Sequence, residues 1–267
     1  TISNCLITLL KCPTISTDFE MLNDLFKQVT RNAENNQSIE KLTSIYLVVY
    51  NCINSNLSEN VFLGLVGQTK LVMDFMIKYI TDLLNSITSI NSDTELDFIC
   101  RVFDLKRYFF EILFLVSMKL KKLEKLHSEI KDTFINYYLD FAINTILYES
   151  QNRSFISFTN NKKLDCSINS MKGKAFMWIS MLIQYDGNDE IFHPKLIEKS
   201  ISLFSVISEG LKYLVKNHLE YLSKMNNLDN EYSDNEYNSI IFQANLFLSR
   251  ILIREPMVST MMPRIKE

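Results

Sequence analysis

Glycine and proline are scarce, with 5 Gly and 4 Pro in 267 residues, against usual frequencies of roughly 7% and 5%. That leaves too few turn-formers for an all-β chain and too few glycines for repeated phosphate-cradling loops. Histidine is scarcer still. His127, His193 and His218 lie in separate segments, none three or four positions from another His or from a Cys, so the spacing of a zinc site is missing. The cysteines Cys5, Cys12, Cys52, Cys100 and Cys166 are odd in number, widely spaced and never in a C-x-x-C arrangement, the usage of buried thiols in a reducing compartment. No G-x-S-x-G, G-x-G-x-x-G, H-E-x-x-H or G-x-x-x-x-G-K motif occurs. The acids fall mostly on helix surfaces and in connections, without the pair in a shared apolar cleft that acid/base catalysis requires. Catalytic residues, a metal and a cofactor are therefore not expected.

Charge of one sign is missing too. With 28 Lys and Arg against 31 Asp and Glu the net charge is -3, and no basic excess is available to neutralise phosphates, so nucleic acid is not the expected partner. No uninterrupted apolar run reaches the roughly 18 residues of a membrane span; the richest stretch, 108–118, contains Glu111. Membrane insertion is not expected. The chain begins at Thr1 without an initiator Met or a signal peptide, and its Met262-Pro263-Arg264 reads as the start of a further helix; we read it as a piece of a longer protein.

What is present is apolar residues at helical spacing. The stripes are Ile39, Leu42, Tyr46, Val49 and Ile53; Val72, Phe75, Met76, Tyr79, Ile80, Leu83 and Leu84; Phe98, Val102, Leu105, Phe109, Ile112 and Val116; Phe134, Tyr137, Tyr138 and Phe141; Ala175, Ile179, Leu182 and Ile183; Leu203, Ile207, Leu211 and Leu214; and Ile240, Ala244, Phe247 and Ile251. Ser92-Asp93-Thr94-Glu95 offers an N-cap with first-turn acids, and His193-Pro194 puts Pro in a first turn. Helices are predicted over 17–34, 37–56, 68–88, 94–121, 129–150, 168–186, 193–226 and 237–255, joined by Asn-rich connections at 32–37, 150–163 and 226–238. Gly64 and Gly67 read as a loop pair ahead of a helix, and His218, in register with Leu211, Leu214 and Leu222, as a packed imidazole. The expected fold class is all-α. One apolar stripe per helix favours an α-α superhelix of antiparallel pairs over a globular bundle, with pairs at 37–88, 94–150, 168–226 and 237–267 in a single solenoid segment spanning 1–267. The period is irregular and longer than the roughly 40 to 47 residues of HEAT and armadillo units.

Two charge clusters stand out. Lys119, Lys121, Lys122 and Lys125 follow the third stripe, where cations complement a helix C-terminus or could meet a phosphate. Asp229, Glu231, Asp234 and Glu236 lie among Tyr232 and Tyr237, with no Lys or Arg between Lys224 and Arg250. They read as an acidic loop, or as a surface attracting a basic partner.

The order of segments resembles a known family. Phe134-Ile135-Asn136-Tyr137-Tyr138-Leu139-Asp140-Phe141 leads into a helix, Lys172-Gly173-Lys174 opens the next and runs through Trp178-Ile179-Ser180-Met181-Leu182-Ile183, and an acidic connection, a helix ending at 250–254 and Met262-Pro263 follow. This is similar to the central HEAT repeats of the importin-β superfamily, in its importin β-3 (Ran-binding protein 5) branch, over about residues 130–267. The chain departs from that pattern in having Lys172 where Arg is usual, a longer helix after Pro194 and an expanded connection before Lys163. The resemblance implies a HEAT solenoid with concave helices at 68–88, 129–150 and 193–226. It further implies a non-catalytic nuclear import receptor of cytoplasm, nucleus and nuclear pore, with basic cargo proteins as partners. Ran-GTP and Phe-Gly nucleoporins would bind through the full-length protein. Under it the acids Asp229, Glu231, Asp234 and Glu236 become candidate cargo contacts. The alternative is a HEAT-type scaffold organising another complex.

Overall fold

The computed structural model describes residues 8, 24, 39–86, 92–121, 127–148, 161–186, 194–216, 231–253 and 258–259. Among them the chain is all-α, with no strand and seven helices: α1 (Ile39–Asn54), α2 (Glu59–Ser86), α3 (Asp93–Lys121), α4 (His127–Leu147), α5 (Lys162–Asp186), α6 (Pro194–Lys216) and α7 (Glu231–Ile253). They fall into two compact units, Thr1–Lys125 and Leu126–Glu267. The helix predicted over 17–34 lies outside the described residues apart from Asp24.

Local chemistry sets the helix starts. Ser92 Oγ accepts the amide of Glu95 at 3.2 Å, capping α3, and Asn161 Oδ1 accepts the amide of Leu164 at 3.2 Å, capping α5. Pro194 opens α6, where its missing N–H costs nothing. Three predicted starts are too late. The helix placed at 168–186 begins at Lys162. The helix placed at 68–88 begins at Glu59, so Gly64 and Gly67 are helical rather than a loop pair. Packing overrides glycine's low propensity there, because Val61, Phe62, Leu65 and Val66 are buried at helical spacing. The helix placed at 237–255 begins at Glu231; acids are favoured in the first turns of a helix, near the positive end of its dipole.

In the first unit α3 packs against both α1 and α2, which also touch each other. Arg101 bonds Glu40 at 2.6 Å, Tyr46 bonds Glu111 and Lys119 reaches Ser55 O, so α1 and α3 run parallel. α2 runs against them, since Phe62 near its start lies 5.8 Å from the Lys119 ammonium near the end of α3. Buried residues of α3, from Leu96 through Val102, Leu105, Phe109 and Ile112 to Leu120, sweep about two thirds of its circumference at about 100° per residue. Phe98, assigned to that stripe, is instead exposed, while Ile99 and Phe103 are buried. A helix with neighbours on two sides buries more than one stripe.

α2 is the helix that bears on membrane insertion. It is long and apolar enough, by length and composition, to cross a membrane, with a window of mean hydropathy 1.2. Charges at Lys70, Asp74, Lys78 and Asp82 break every uninterrupted run without lowering the average far. Within the unit its apolar residues Val72, Met73, Met76 and Ile80 are buried, and its neighbours are α1 and α3.

In the second unit α5 lies between α4 and α7, and α6 packs on α4 and at the margin of α7. Nearly every residue of α5 from Met171 to Ile183 is buried, Trp178 completely. Phe176 meets Phe247 of α7 with ring centroids 6.0 Å apart. The stripe Ile240, Ala244, Phe247 and Ile251 is buried as expected. On α4 the core is Ile135, Tyr138, Leu139, Ala142 and Ile146, while Tyr137, placed in the stripe by spacing, is exposed. Mid-helix hydroxyls are satisfied locally: Thr69 donates to Leu65 O at 2.8 Å and Thr145 to Phe141 O at 2.7 Å.

Two lysines sit inside these cores, Lys106 on α3 at 5% exposure and Lys172 on α5 at 0%. Burial pushes the Lys106 ammonium down to about 8 from 10.5, because the charged form is the one disfavoured away from water. Between pH 8 and 10.5 the unfolded chain holds a proton that the folded chain has lost, so this group makes stability rise with pH. Lys106→Met should therefore be more stable than the wild type at pH 7. That advantage should shrink by up to about 3 kcal/mol by pH 10.5 in urea melts of the two proteins run in parallel. A separate test addresses α2: a Cβ added at Gly67 meets nothing within 4 Å, so Gly67→Ala should stabilise the chain by about 0.5 to 1 kcal/mol in the same assay, and a loss would show that the position is not helical.

Candidate functional site

The best-defined cluster of polar and aromatic side chains is the seam between α1 and α3. Tyr46 stacks on Tyr108 with centroids 4.3 Å apart and rings within 10° of parallel, and Tyr50 lies 5.6 Å from Tyr46. Arg107 covers Tyr108 at 4.8 Å from the ring centre, giving a column of guanidinium and three phenols. Tyr46 Oη donates to Glu111 Oε2 at 2.7 Å. Burial, that bond and the Glu111 charge together push the Tyr46 phenol far above its usual value of 10.0. Asp104 lies 3.6 Å from Arg107; burial raises its carboxyl, Arg107 opposes and Glu111 adds. The Glu111 carboxylate is thus engaged by the Tyr46 hydroxyl and the Asp104 carboxylate by Arg107. The chemistry of this seam is fastening two helices together.

Lys119 extends the seam. Its ammonium donates to Ile53 O and, at 2.7 Å, to Ser55 O, satisfying carbonyls that the end of α1 leaves open. Sequence spacing assigned Lys119 to the C-terminal turns of its own helix or to a phosphate, whereas it caps a different helix. Nothing local could signal this, because donor and acceptors lie 66 and 64 residues apart. Lys121 is the last residue of α3, and Lys122 and Lys125 lie outside the described residues.

A second clamp ties α4 to α6. Lys195 bonds Asp140 at 2.8 Å and Asn136 O at 2.9 Å, with Lys199 at 3.6 Å from the same carboxylate. The hydrogen bond from Lys195 holds the Asp140 carboxyl below its usual range. Exposed pairs of this kind contribute at most about 1 kcal/mol.

Of the predicted partner contacts, Asp229 lies outside the described residues, and Glu231, Asp234 and Glu236 occupy the first two turns of α7 rather than a loop. The resemblance is corrected in two places. The segment 134–141 lies within α4 instead of leading into a helix, and Lys172-Gly173-Lys174 stands ten residues inside α5 instead of opening it. No group of His, Cys, Asp and Glu suited to a metal occurs among the described residues; His127 begins α4, and His193 and His218 lie outside them. Cys52 and Cys100 are buried and Cys166 half-buried, all outside any disulfide, and burial raises the Cys52 thiol to about 11, which keeps it unreactive at neutral pH.

Comparison with known proteins finds no family model, no curated relative and no solved structure that matches the chain.

The seam makes a definite energetic claim. Tyr46→Phe keeps the ring stack and removes the phenol donor to the Glu111 carboxylate, which should cost about 1 kcal/mol or more in a denaturant melt, while Glu111→Gln, still an acceptor, should cost less. Equal and negligible losses would mean that the contact does not hold the two helices.

Proposed function

We propose that the chain is a stretch of a protein-binding α-helical solenoid, and that it forms the cargo-holding middle of a nuclear import receptor of importin β-3 type. The observation that carries the first part is the packing order of the second unit. There α4 pairs with α5 and α6 touches α7, while α4 also lies along α6 and α5 along α7; α5 and α6, consecutive in sequence, share at most a marginal contact among the described residues. In that order the pairs are α4 with α5 and α6 with α7, not the 94–150 and 168–226 pairs expected from the sequence, and one pair stacks on the next, each repeat touching only its neighbours. The second part rests on the segment order of residues 130–267 and on nothing else. In this reading the chain catalyses nothing. It takes a Lys-rich segment of a cargo protein, with Asp229, Glu231, Asp234 and Glu236 as the attracting surface, and leaves Ran-GTP and Phe-Gly nucleoporins to the full-length protein, which moves between cytoplasm and nucleus.

Titrating a fluorescent Lys-rich peptide against the chain tests the cargo role. Binding should be measurable at low salt and weaken steeply toward 0.15 M, where the screening length falls to about 8 Å. No binding at low salt would remove it. Pull-down of the full-length protein with Ran-GTP and Phe-Gly repeats then separates the receptor from a scaffold: peptide binding without either partner would assign the chain to a HEAT-type scaffold of another complex.

A further inference from the structure

We draw no further inference here: the strongest candidate, the exposed apolar patch that Phe242, Leu252 and Ile253 form on α7, carries nothing, because nothing in the structure shows what covers it.

Discussion

A helix buried around most of its circumference cannot stand in water by itself. α3 and α5 are such helices, and each unit is arranged to enclose one of them. Burying a Leu, Ile, Phe or Met side chain is worth about 1.5 to 3 kcal/mol, and α3 alone places Val102, Phe103, Leu105, Phe109, Phe110, Ile112, Leu113 and Val116 at 1% exposure or less. That gain appears only when neighbours close on more than one side. The surrounding helices can then be simpler. α1 and α7 bury a single stripe each and leave their other faces to solvent, as amphipathic helices at the edge of a core do.

Polar groups inside the two cores follow from the same constraint. A buried hydroxyl or ammonium has no water to turn to, so Thr69 and Thr145 bond within their own helix and Tyr46 finds Glu111 across the seam. Ser180 Oγ and Ser200 Oγ are buried with no hydrogen-bond partner among the described residues. The side chain of Lys172 is fully enclosed within the second core.

Much of the fold was legible in the sequence, and the parts that were not share a cause. The stripes of α1 and α7 read correctly because a helix with one buried face leaves a period of 3.6 in its apolar residues. α3 and α5 blur that period by burying several faces, which is why Phe98 was assigned inward and Ile99 and Phe103 were overlooked. Starts marked by chemistry, Ser92 and Pro194, were read within a residue; those of α2, α5 and α7 were read late, because glycines, polar runs and clustered acids resemble a connection until the packing behind them is known. The candidate site was less legible. The acids of α7 were found by composition but placed in a loop, and the seam of Tyr46, Tyr108, Glu111 and Lys119 escaped because its partners are more than 60 residues apart. A stripe can show that a tyrosine faces inward, but not which carboxylate its hydroxyl will meet.

The parallel course of α1 and α3 governs how the first unit can assemble. Antiparallel neighbours joined by a short turn meet early, since closing a short loop costs little entropy. α1 meets α2 across the brief connection 55–58. The seam is different: Tyr46 and Glu111 are 65 residues apart, and a whole intervening helix must form and reverse the chain before they can approach. Contacts of that sequence separation slow folding. The seam is thus the late-closing part of the unit, and until it closes the apolar flank of α3 that belongs against α1 stays open to any other apolar surface the chain encounters.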